Sequence, residues 1–240
     1  MIQATILSQL IILVVLQFLI ISPILFLSLK MKTRDAYLTA LVFAAFLLFH
    51  QVLLYSHLLA FQFIKERWNW VGKSLAIFGS VLFLIFYKKY PIAEYGITFH
   101  QRRNSIRVSL IVLGALVLAA LIVGVFILRR THIDLDTLTF ELTMPAIDEE
   151  LAYRGIMIGL LSQILVDKVG IGNLKFINPS VLITSIIFGL THALALGKSF
   201  AISFDLFTFL WNFAFGLLVG WVFVRSRSIL FPIVIHSLSF

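Results

Sequence analysis

Residues 4–29 read ATILSQLIILVVLQFLIISPILFLSL, a run without a charged side chain. At about 1.5 Å per helical residue it is long enough to cross the roughly 30 Å hydrocarbon core of a bilayer. Comparable apolar runs follow at about 36–63, 71–87, 107–128, 141–165, 179–196 and 200–224, and a shorter one closes the chain at 229–240. Short polar linkers separate them, such as Lys30-Met31-Lys32-Thr33-Arg34-Asp35 and His100-Gln101-Arg102-Arg103-Asn104. No internal repeat or low-complexity tract is present. This pattern predicts an all-α integral membrane protein, one bundle of about eight transmembrane helices.

Composition points the same way. Hydrophobic residues make up 61% of the chain and charged residues 12%, against about 25% charged in soluble domains. Mean hydropathy is +1.06. A soluble fold would leave much of that surface in water, whereas a bilayer solvates it. The net charge of +8 does not imply nucleic acid, because the 19 Lys and Arg fall mostly between the apolar runs, where loops meet anionic headgroups. The absence of cysteine excludes disulfides, thiol catalysis and cysteine-based metal sites. Without a basic leader or a small-residue cleavage site, the first run reads as a membrane helix rather than a signal peptide. Loops after the odd-numbered runs hold 12 Lys and Arg, and those after the even-numbered runs hold 6, with Lys73 counted in the loop before the third run. That bias predicts cytoplasmic odd loops and external termini.

Ionisable residues inside apolar helices carry the functional information, since each costs about 2.5–3.5 kcal/mol at the bilayer centre even on lenient scales. The densest group is Met144-Pro145-Ala146-Ile147-Asp148-Glu149-Glu150-Leu151-Ala152-Tyr153-Arg154-Gly155. Pro145 and three acids suit a helix N-terminus, where negative charge meets the positive end of the dipole. That architectural reading leaves Arg154 unexplained. Glu150 and Arg154 are four apart and share a helix face, so they pair. Glu149 lies about 100° around the helix, which predicts one paired and one unpaired carboxylate, the division that separates a structural acid from a reactive one. His192 and His236 lie within later apolar runs. His50 and His57, seven apart, read as interhelical hydrogen-bonding groups rather than metal ligands. No His-Glu-x-x-His, Gly-x-Ser-x-Gly or glycine-rich phosphate loop occurs. Carboxylate and imidazole remain, a pair suited to activating water.

These residues resemble the CAAX-protease and bacteriocin-processing family, also called CPBP or Abi. Glu149-Glu150-Leu151-Ala152-Tyr153-Arg154 matches its Glu-Glu-x-x-x-Arg motif, followed by Gly155. Phe188-Gly189-Leu190-Thr191-His192 matches Phe-x-x-x-His. His236, preceded by Gly216, Gly220, Arg225 and Pro232, matches the third motif, but Phe240 stands where that motif places Asn. The resemblance divides the chain into N-terminal transmembrane helices at 1–130 and a protease domain at 131–240. It implies an intramembrane glutamic endopeptidase acting on a membrane-embedded or lipidated peptide or protein, in a multi-pass protein of the bacterial plasma membrane. It implies Glu149 as the base that deprotonates water, His192 as a holder of that water, and His236 as the oxyanion stabiliser. Glu150, Arg154 and Phe188 would be supporting residues. No cofactor is expected, although two His and a Glu are in principle a zinc ligand set. Two other readings are a catalytically silent relative that binds a membrane partner, which the missing Asn favours, and a proton-coupled transporter, which lacks a supporting repeat.

Overall fold

The computed structural model describes residues 2–61, 67–122, 134–171, 174–197 and 199–239. Most of these residues are helical. Helices α1 (Ile2–Leu27) and α2 (Arg34–Leu54) are followed by the single turn α3 (Ser56–Leu59), then α4 (Trp70–Phe86), a 3₁₀ turn at Ile92–Tyr95, and α5 (Ile106–Ile122). Helix α6 (Leu135–Glu149) runs without a break through a π-helical stretch, Glu150–Met157, into α7 (Ile158–Ile164). Strands β1 (Val169–Ile171) and β2 (Leu174–Ile177) form an antiparallel hairpin before α8 (Pro179–Ala193). A second hairpin, β3 (Leu194–Leu196) with β4 (Ile202–Phe204), leads to α9 (Leu206–Ser226) and α10 (Leu230–Leu238).

Side-chain caps set where several helices begin. Thr33, Asn69, Asp134, Asn178 and Asp205 each accept a hydrogen bond from a backbone N–H in the first turn of the helix they precede. The Asp134 cap corrects the expected helix at 141–165. The helix starts at Leu135, so Pro145 and the acids lie inside it and not at its N-terminus. The added turns contain polar residues, and Thr139 and Thr143 fold their hydroxyls back onto the carbonyls of Leu135 and Thr139. The apolar runs at 179–196 and 200–224 also overreach. Leu194 to Leu196 pair with Ile202 to Phe204, and the ladder takes backbone groups that a longer helix would have used.

Among the described residues three helices are long and apolar enough to cross a membrane: Thr5–Leu27 within α1, α2 and α9. Helices α4, α5 and α8 are apolar but shorter. The core is built around the π-helical stretch, all of whose residues are buried. Ile21 and Leu25 of α1, Phe43 and Leu47 of α2, and Ile183 and Ile187 of α8 close around it. The outer surface is the reverse of a soluble protein's. Only 28% of the membrane-length window of α1 is buried, and Leu7, Ile11, Val15 and Leu19 point outward. Leu110, Ile111, Leu118 and Leu121 of α5 and Phe207, Leu210 and Trp211 of α9 are exposed as well. Lipid tails solvate such a surface at no penalty.

Helices α8 and α9 touch through Gly216 and Gly220, four residues apart on one face. A Cβ at Gly216 would lie 3.1 Å from the Ser185 Cα, the close backbone approach that small residues permit. Gly216→Leu should therefore lower the melting temperature of the purified protein, by an overpacking penalty of about 1–3 kcal/mol. Gly114→Leu should leave it unchanged, because nothing lies within 4 Å of a Cβ there.

Candidate active site

Three consecutive carboxylates on one helix fan out around its axis, so each meets a different neighbour. Asp148 and Glu149 end α6, Glu150 opens the π-helical stretch, and all three are buried. Glu150 Oε1 lies 2.6 Å from His236 Nδ1 of α10, and its Oε2 lies 3.2 Å from Arg154 Nε. Asp148 Oδ1 lies 2.9 Å from His50 Nε2 of α2, and its Oδ2 accepts from Lys73 Nζ of α4 at 3.1 Å. Glu149 divides its two oxygens. Oε1 accepts from Lys73 Nζ at 2.6 Å, while Oε2 faces two imidazoles, His236 Nε2 at 3.7 Å and His192 Nε2 at 3.9 Å. Those two gaps are too long for direct hydrogen bonds.

The imidazoles are oriented from behind. His192 Nδ1 donates to the Phe188 carbonyl at 2.8 Å, one turn earlier in α8, so Nε2 turns toward Glu149. His236 directs Nδ1 at Glu150 and Nε2 at Glu149. Exposure divides them: the His236 side chain is 1% accessible, that of His192 34%. His192 is thus the open edge of a buried cluster. Phe188 packs beneath, with the Arg154 guanidinium 4.6 Å from its ring centre and the edge of the His236 ring against it. Arg154 Nη1 and Nη2 find no hydrogen-bond acceptor among the described residues, so the aromatic face is what the guanidinium rests on.

Residues 133–239 match the family model of the Rce1-like type II CAAX prenyl endopeptidases. This stretch is similar to that family. It starts beside Asp134, the cap of α6, and contains all the acids and two of the histidines just described. At family level the match points to CAAX-protease-type membrane endopeptidases. No curated protein and no solved structure matches the chain.

The matched stretch does not supply the whole cluster. His50 and Lys73 reach it from α2 and α4, ahead of residue 133. Lys73 lies near the start of the apolar run at 71–87, and Asn69 caps α4 so that the helix starts at Trp70 and carries it inside as a buried residue. Glu149, expected to be unpaired, has Lys73 as its partner. A lysine within an apolar run, at intramembrane cost, was the available signal. Moving it out of the loops lowers the even-loop basic count from six to five. Asp148, given no role from sequence, joins Lys73 to His50, which does bridge helices as its position predicts. Candidate stand-ins for the missing Asn are turned elsewhere: Asn212 donates to the Thr208 carbonyl and Ser239 to that of Ile235. Phe240 and the side chain of His57 lie outside the described residues. As metal donors Glu149, His192 and His236 are compromised, because an ammonium already holds Glu149 and a carboxylate holds His236 Nδ1. Among the described residues no group of three His, Asp or Glu is arranged to hold a metal ion.

Proposed function

We propose that the chain is an intramembrane endopeptidase of the glutamic type, in which Glu149 activates water against a peptide bond of a membrane-embedded or lipidated substrate. The observation that carries this reading is the division of the Glu149 carboxylate, one oxygen on Lys73 and the other facing two imidazole nitrogens. Water between Glu149 Oε2 and His192 Nε2 gives up a proton to Glu149 as its oxygen attacks the carbonyl carbon. The proton then passes from Glu149 to the leaving amide nitrogen as the carbon–nitrogen bond breaks. His236 donates to the oxyanion from Nε2, with its Nδ1 held by Glu150. Arg154 in turn pairs with Glu150. Lys73 holds Glu149 Oε1, and Asp148 holds Lys73 in place when Glu149 takes up its proton. The reading places the enzyme as a multi-pass protein of the bacterial plasma membrane and needs no metal.

The test is cleavage of prenylated and unmodified membrane peptides by the purified protein, before and after dialysis against a strong chelator. Activity should survive chelation, elemental analysis should find no stoichiometric zinc, and His236→Ala should remove most of the rate, since one oxyanion donor is worth about 10²–10³ in rate. Activity lost on chelation and restored by zinc would favour a metalloprotease. An inert parent on a broad panel would favour the silent membrane scaffold that the missing Asn suggests.

A further inference from the structure

Basic residues from four separate stretches of chain converge on one cavity. Lys30 follows α1, Arg102 precedes α5, Lys168 follows α7, Arg225 ends α9 and Arg227 lies just past it, and all line a cavity of about 710 Å³. Its volume falls within the range of small-molecule sites, about 300–1,000 Å³. Two carboxylates line it too, and both are engaged. Glu94 accepts from Gln163 at 3.1 Å, and Asp167 lies 3.8 Å from Lys30. Among the described residues Arg102, Lys168, Arg225 and Arg227 have no carboxylate within ion-pair distance. The walls are stitched together: Arg102 N donates to the Ser226 carbonyl, Ile229 N to that of Gly96, and the Ser228 hydroxyl to that of Thr98. Arg227 itself sits at φ 59°, the left-handed cap position that glycine usually fills.

The cavity has a second, apolar wall. Ile158, Val181, Leu217 and Trp221 line it from α7, α8 and α9. Because α9 is of membrane length and ends at Ser226, Arg225 and Arg227 mark its boundary and Trp221 lies one turn inside. Tryptophan at that depth sits at headgroup level. The Arg225 guanidinium lies 5.6 Å from its ring. None of the residues around Glu149 lines the cavity, and Ile158 is nine positions further along the same continuous helix.

We propose that this cavity binds an anionic phospholipid, with the headgroup phosphate among the arginines and an acyl chain along α9. Unpartnered guanidiniums match phosphate oxygens in geometry and charge. Basic pockets between membrane helices at the bilayer boundary take acidic headgroups. A free anion would use the basic mouth and leave the apolar wall bare.

The test uses the full chain in zwitterionic detergent, titrated with phosphatidylglycerol or cardiolipin. At a lipid concentration about a hundredfold above Kd, the melting temperature should rise by roughly 5 °C, and native mass spectrometry should retain a lipid adduct. Phosphatidylcholine and inorganic phosphate should do neither. Arg225→Gln with Arg227→Gln should abolish both effects without lowering the lipid-free melting temperature. Arg103→Gln with Arg107→Gln, at a separate open groove, should keep both. If the first double variant does not fold, Arg102→Gln read by adduct retention takes its place. An equal response to phosphatidylcholine, or equal loss in the Arg103/Arg107 variant, overturns the site. A response to inorganic phosphate alone overturns the lipid assignment.

Discussion

Glu149→Gln should abolish peptide cleavage and leave the folded protein nearly as stable as the parent. The amide keeps the shape of the side chain but cannot take a proton from water, so the proposed general base is gone, an effect of about 10²–10⁴ or more in rate. Stability is spared for a specific reason. Lys73 loses one of two carboxylates but keeps Asp148 at 3.1 Å, so no buried cation is left alone. Glu150→Gln behaves differently. Its carboxylate is the counter-charge of Arg154 and the partner of His236 Nδ1, so its loss strands a buried guanidinium and lowers the yield of folded protein. Cleavage rates and melting curves of the two variants, measured side by side, separate chemistry from architecture. Cleavage by Glu149→Gln at the parent rate would end the glutamic-protease reading and leave the lipid proposal untouched.

Lys73→Met should destabilise the protein by about 3–5 kcal/mol, the usual consequence of removing one partner from a buried ion pair. Here the consequence is doubled in kind, because Asp148 and Glu149 are adjacent, both buried, and both paired to the same ammonium. Adding Asp148→Asn removes one of the two stranded charges, so the double variant should recover much of the melting temperature. It should not recover cleavage, because Glu149 still lacks the ammonium that holds Oε1 and turns Oε2 toward the imidazoles. A double variant that regains both stability and the parent rate would reduce Lys73 to a packing residue.

The sequence by itself determined what depends on spacing along one helix and on the length of apolar runs. Glu150 and Arg154 are four apart, and any helical geometry brings them together. The apolar runs predict helices because backbone groups facing lipid tails must be satisfied within their own segment. The three motifs likewise marked out Glu149, His192 and His236, and these converge on one carboxylate oxygen in the structure. Tertiary structure decided the rest. Lys73 reaches Glu149 from 76 residues away, and His50 reaches Asp148 from 98. No local pattern encodes which faces of α2 and α4 press against α6, because that is set by side-chain packing across the bundle. The same holds for the two hairpins, where apolar residues that read as helix extensions pair across a turn instead. It holds also for the basic cavity, whose arginines and lysines are ordinary loop charges in the sequence and become a site only where α1, α7 and α9 end side by side. A charge inside a membrane announces that it needs a partner, and only the packed bundle says which one it has.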